Sequence, residues 1–190
     1  MTDRTDMIAR IAISDSLRYI GEDPEREGLR ETPARVIKSW ETLYGGYKET
    51  PEEVIKTFDT PGTQHGMVVL RDIEFYSTCE HHMLPFFGKA HIGYLPGRVV
   101  LGISKLARLL EVYTRRLQIQ ERIGEEVVSA LMVHLPDCKG AGCVLEAQHM
   151  CMTARGVQKQ HSVMVTSCLA GVFKTENKTR TEFLSVAGVR

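Results

Sequence analysis

The chain has 190 residues, 43% apolar and 25% charged, which is the composition of a globular protein with a real core rather than of a disordered segment. Its 24 Lys and Arg balance 24 Asp and Glu, so no overall field draws it to nucleic acid or to a membrane surface. An anionic partner has to be held by a local basic cluster. The opening MTDRTDMIARIAISDS carries acids and no continuous apolar run of signal-peptide length, and nothing later approaches the roughly 20 apolar residues of a membrane span. These features predict a cytoplasmic protein with no nucleic-acid or membrane partner. The five cysteines, Cys79, Cys138, Cys143, Cys151 and Cys168, are an odd number, which disfavours a disulfide framework and favours metal binding, catalysis or burial.

In chain order, DMIARIAISDSLRYIG places Ile8, Ile11, Ala12 and Ile20 near one helical face before Gly21. Thr32-Pro33 then reads as a cap followed by proline at the first helical position, opening a helix through Val36, Ile37, Trp40 and Leu43. GMVVLRDIEFYS and FFGKAHIGYLP are rich in β-branched and aromatic residues and predict strands. SKLARLLEVYTRRL and IQERIGEEVVSALMVHL predict helices, the second with Ile119, Ile123, Val127 and Leu131 four apart. GCVLEAQHMCM and HSVMVTSCLAGVF return to strand character. Blocks of strands and helices, rather than strict alternation, predict an α+β fold with an antiparallel sheet behind an N-terminal helical arm.

The densest chemistry lies in STCEHHM. Cys79 and His82 stand as C-x-x-H, a spacing at which a tight turn aims both side chains at one ion. Zinc suits mixed thiolate and imidazole ligands. A third ligand is expected from QHMCM, where Cys151 follows His149 by two residues and would share its strand face. Three protein ligands leave a fourth position for water, the pattern of a catalytic zinc site. Spacing alone leaves a second reading open, in which these are packed or surface side chains. His81 is free to move protons beside such a metal, and Glu80 either orients an imidazole or is simply solvated. Cys138, Cys143 and Cys168 have no such company and read as small apolar residues.

STCEHH, GKAHIGYLP, GISKLAR, RRLQIQERI, QHMCMTARG and AGVFK, in this order and at suitable distances, closely resemble the GTP cyclohydrolase I family, zinc-dependent enzymes that open pteridine biosynthesis. The resemblance runs from the TPAR helix to TRTEFL. It implies Cys79, His82 and Cys151 as ligands of Zn2+, His81 as the main general acid/base and His149 as a second proton-handling residue beside the purine. It further implies that Glu121 grips the guanine edge, with Gln120 beside it. Ser104, Lys105, Arg108 and Arg155 would hold the triphosphate, joined by Arg35 from another subunit. A helix beginning at Ser104 and Lys105 favours phosphate through its free N–H groups and positive dipole end, and Lys105 and Arg108 share a face. Arg115, Arg116 and Arg122 read as a solvated basic face.

The fold so implied is the tunnelling fold, an antiparallel four-stranded sheet with two helices on one face. Residues 66–190 would form that catalytic domain and residues 1–65 the arm. The implied assembly is a homodecamer of two stacked pentamers with active sites at subunit interfaces. The implied reaction is hydrolysis of GTP at C8 with release of formate and rearrangement to 7,8-dihydroneopterin triphosphate. Two other readings are a tunnelling-fold enzyme that reduces a deazaguanine nitrile with NADPH and no zinc, and a guanine-nucleotide-binding scaffold without catalysis. The intact Cys79, His82 and Cys151 set argues against the first, and His81 against the second.

Overall fold

The structure is a computed structural model that describes residues 3–59 and 66–188. The chain divides into two compact units, Met1–Gly45 and Gly46–Arg190. The first holds α1 (Asp3–Tyr19) and α2 (Thr32–Leu43), which pack on each other. Pro33 stands in the first turn of α2 as expected, but the capping residue is Glu31, and no side chain caps the helix. The expected division at 65/66 abuts residues 60–65, which lie outside the described residues. Residues 46–59, which include the short helix α3 (Pro51–Val54), belong to the second unit. The Gly46 N–H donates to Arg115 O, and β1 (Thr57–Asp59) pairs antiparallel with β4 (Val99–Leu101).

The second unit is built on β2 (Val68–Cys79), β3 (Pro85–Leu95), β6 (Gly140–His149) and β7 (Met164–Gly171), neighbours paired antiparallel in that order. A two-residue strand, β5 (Leu117–Gln118), pairs parallel to the end of β2 and makes the sheet five-stranded. It is too short to carry a sequence signal. Two long helices, α4 (Ile103–Thr114) and α5 (Gln120–His134), cover one face. Their Leu106, Leu109, Leu110, Ile123, Val127 and Leu131 meet Phe75, Phe86, Ala90, Ile92 and Leu145 in the main core. Removing that apolar surface from water, at about 25 cal/mol per Å², is the largest favourable contribution to the fold.

Strand residues alternate between faces, and Val144 next to Leu145 enters a second core. There it meets Phe173 of α7 (Val172–Thr175) and Phe183 of α8 (Asn177–Ala187). The expected tail is therefore a lid on the opposite face of the sheet. Gly142 lets it approach, since a Cβ there would lie 2.7 Å from Phe183 Cε1.

Candidate active site

Residues 80–84 join β2 to β3, so Cys79-Glu80-His81-His82 is a strand end running into a hairpin turn. Backbone bonds shape it. Cys79 N–H donates to Leu84 O (2.9 Å), Met83 N–H to Cys79 O (2.8 Å) and Glu80 N–H to Gln118 O (3.0 Å). Met83 takes a left-handed φ of 53° to close the turn.

Within that turn Cys79 Sγ lies 3.7 Å from His82 Nδ1 and 3.9 Å from His81 Nδ1. The two imidazoles are thus less differently directed than an extended backbone would make them. A third residue separates them. Among the described residues, Cys79, His82 and Cys151 bring their ligand atoms within 4.8 Å of one another, and His81 is not in that group. The donor set fits zinc. Bonds of about 2.3 Å to sulfur and 2.0–2.1 Å to nitrogen in a tetrahedron set S···N at about 3.6 Å, close to the observed 3.7 Å. The Cys151 thiol is pushed above its ordinary value, first by burial and then by Cys79.

Cys151 reaches this position in an unexpected way. β6 stops at His149, and Met150–Thr153 form a single helical turn, α6. His149 and Cys151 therefore do not share a strand face, and the change from strand to helix turns the Cys151 thiol toward Cys79 and His82, away from the imidazole two residues earlier. Arg155, just past that turn, donates to His82 Nε2 at 2.8 Å.

His149 is held by two contacts. Its ring stacks on Phe86 at 4.5 Å and 4°, directly across the β3–β6 ladder. Its Nε2–H donates to Gln120 Oε1 at 2.8 Å, which leaves Nδ1 as the free lone pair. Burial depresses its basicity, with the Glu121 charge opposing. Gln120 itself is 0% exposed, and its Nε2 donates to Leu145 O, Met164 O and Thr166 Oγ1. The sequence reading sets Gln120 beside Glu121 at the guanine; in the structure its amide is engaged inside the protein and holds His149.

Glu121, one residue on, is exposed at the rim of a cleft of about 270 Å³ that it shares with Gly124, Glu125, Thr166, Ser167 and Cys168. Cys168 is thus part of a cleft wall. Cys143 is wholly buried, with its thiol pushed far up, and Cys138 donates to Gly140 O. Lys105 and Arg108 line a second cleft of about 280 Å³ with Glu49, Glu53, Val54, Lys56 and Glu111. Ser104 is exposed in the first turn of α4, whose first residue is Ile103, and is not among the residues lining that cleft. In the first unit, Arg35 pairs with Glu31 at 2.5 Å.

Glu80 and Arg122 depart furthest from expectation. The Arg122 guanidinium grips both carboxylate oxygens of Glu80, at 2.7 and 3.1 Å, and Gln118 Oε1 at 3.3 Å. Glu80 is thus ion-paired rather than simply solvated, and its nearest approach to His81 Nε2 is 4.0 Å. Arg116 is not a solvated charge either. It donates to Gly46 O and Glu49 O and lies over the rings of Tyr47 and Tyr113. Arg115 pairs with Glu111. A partner far along the chain leaves no periodic trace, so only the adjacency of Gln120, Glu121 and Arg122 at a helix start hinted at these roles.

The chain is similar in sequence to known proteins. The family model described as GTP cyclohydrolase I matches residues 9–188. A GTP cyclohydrolase 1 of Wolinella succinogenes is 55% identical over 179 residues, covering 92% of this chain and 95% of that protein. One from Campylobacter jejuni is 50% identical over 174 residues, covering 92% and 91%. One from a Synechococcus is 49% identical over 185 residues, covering 97% and 80%. Among solved structures, that of the archaeosine synthase QueF-Like in the apo form overlays at a TM-score of 0.46 with 13% identity, over 57% of this chain and 97% of that one. The family match spans the hairpin turn, the first turn of α5 and the end of β6 together, and the chain belongs to the GTP cyclohydrolase I family.

Proposed function

We propose that this chain hydrolyses GTP at C8, releases that carbon as formate and closes the remainder to 7,8-dihydroneopterin triphosphate, the first step of pteridine biosynthesis. The observation that carries the reading is the approach of Cys79, His82 and Cys151 to within 4.8 Å next to two imidazoles that are not ligands, in a chain of this family. One water adds across the C8–N bond and opens the ring to a formamide, and a second releases formate. The ribose then rearranges to a ketose, which condenses with the freed diamine and expels one water. The net change is one water consumed and one formate produced, with no oxidant or reductant.

Zinc held by Cys79, His82 and Cys151 supplies Lewis acidity at the hydrated carbon. His81, in the same turn and 65% exposed at its side chain, carries protons to and from the opening ring. His149 presents a free Nδ1 lone pair because Gln120 accepts its Nε2–H, so it acts as a second proton carrier of fixed orientation. Gln120 contributes through His149. Glu121 offers two carboxylate oxygens to the two adjacent donors of guanine, its ring N–H and amino group. Lys105, Arg108, Arg155 and the Ser104 end of α4 meet the triphosphate. A neutral imidazole has one free lone pair, so His82 serves either Arg155 or a metal, and Arg155 is available to phosphate whenever His82 is a ligand.

The same reading makes the working enzyme a decamer of stacked pentamers in which Arg35 reaches the site of a neighbouring subunit. It is supported by the open edge at β7, where Val163, Met164 and Val165 are exposed, and by Met7, Ile8 and Ile11 exposed along α1. It also sets the protein in the cytoplasm, where its five free cysteines stay reduced. Among the described residues no helix is long and apolar enough to cross a membrane. Incubation of the purified protein with GTP, followed by pterin fluorescence, formate release and light scattering, tests the whole. GTP binding without formate would exclude the activity, and an active monomer would exclude the shared site.

A further inference from the structure

Three consecutive residues open α5 and reach three different places. Gln120 holds His149, Glu121 stands at the cleft that includes Thr166–Cys168, and Arg122 holds Glu80. Glu80 lies between the cysteine and the histidines of the hairpin turn. Its main chain is tied to Gln118 O. Arg122 also touches Gln118 Oε1, while Gln118 Nε2 donates to Tyr113 O and Glu126 Oε2. One side of the turn is thus fixed by strand pairing with β3, and the other by this network together with Arg155 on His82.

We propose that Arg122 is a positioning residue for the metal turn, its two-pronged grip on Glu80 holding Cys79 and His82 in the separation that binds zinc. The inference rests on the reading of Cys79, His82 and Cys151 as ligands. A planar guanidinium with two parallel bonds to one carboxylate fixes direction as well as distance, which a lysine ammonium does not. Groups that orient metal ligands from behind are worth about 10–100-fold in metal affinity. The pair is accessible enough to alter without breaching the core, the Arg122 side chain being 42% and the Glu80 side chain 31% exposed. A matching control is the Arg98–Asp137 pair, which lies beyond the other end of α5, about 22 Å away along a helix rising roughly 1.5 Å per residue.

The test is zinc affinity, measured on the full chain by competition with a chromophoric chelator and accompanied by thermal melting. The parent takes up zinc, Arg122→Ala binds it about 10–100-fold more weakly, and Arg122→Lys recovers only part of the loss. Glu80→Gln is weakened as well, and the Arg122→Ala/Glu80→Gln double variant is no weaker than the poorer single variant, because both remove one interaction. Arg98→Ala binds as the parent does. Parental affinity in Arg122→Ala, additive losses in the double variant, or an equal loss in Arg98→Ala would each overturn the assignment. A parent that takes up no zinc would instead remove the ligand reading itself, and the positioning role with it.

Discussion

At the scale of single residues, the proposed function divides the labour between neighbours of identical chemistry. His82 has its ligand atom within 4.8 Å of both sulfurs, whereas His81 approaches Cys79 alone. His81→Ala is therefore expected to keep its zinc and its GTP binding but to lose about 10²–10⁴-fold in rate, the usual worth of a general acid/base. His82→Ala loses the metal first and the chemistry with it. Elemental analysis beside turnover for the two variants checks this, and a metal-free His81→Ala with a zinc-replete His82→Ala would reverse the roles. Glu121→Gln keeps its shape but turns one acceptor into a donor facing guanine's donors, an unsatisfied contact worth about 1–3 kcal/mol. GTP affinity should fall at least about tenfold, and equilibrium binding that matches the parent would return Glu121 to the surface. The proposed ligands Cys79 and His82 were legible because C-x-x-H is local. Gln120, Phe86 and Arg122 were not, since each acts through a partner met only after the sheet and α5 are assembled.

At the scale of elements, the site depends on the ladder that sets Phe86 against His149. Two residues along, Gly88 faces Ala147, and a Cβ there would lie 1.8 Å from Glu146 O. Gly88→Ala should therefore prise β3 from β6 and cost about 1–3 kcal/mol or more, with His149 displaced. Chemical denaturation reads the cost, and an unchanged midpoint would show that the ladder yields. The long strands were legible from their β-branched and aromatic runs. The helical turn that carries Cys151 was not, because four residues are too few for a period to register and QHMCM reads as strand by composition. The β2 bulge between Leu70 and Ile73 was likewise invisible. There Asp72 adopts a left-handed φ of 57° and pairs with Arg71 and Lys89. Those partners, Arg71 first, hold its carboxyl below the usual carboxylate range. A depressed carboxylate stabilises the fold above its unfolded-chain value and loses that contribution as pH falls through the folded one. Asp72→Asn should thus melt below the parent at neutral pH and with it in strong acid. A gap that persists in acid would place the effect elsewhere.

At the scale of the whole molecule, the order of elements was readable because each long segment carries its own periodicity and the blocks exclude a strictly alternating α/β chain. The reach of the second unit back to Gly46 was not, since it is made by Arg116, Tyr47 and the β1–β4 pair, contacts between segments far apart in sequence. The same holds for α8, whose role as cover for the second core depends on Val144 facing away from Leu145. What this assembly achieves is a junction, at one end of the sheet, of a hairpin turn, a strand end and a helix start. In the proposed function, a metal held at that junction by Cys79, His82 and Cys151 is required for loss of C8 from GTP. Formate release measured while metal-stripped protein is titrated with zinc tests it most directly. Release should rise in proportion to zinc and level off at about one ion per chain, the occupancy of a single three-ligand site, while Cys151→Ser titrated alongside stays silent. Formate release by the stripped protein, or by Cys151→Ser at the parental rate, would contradict it.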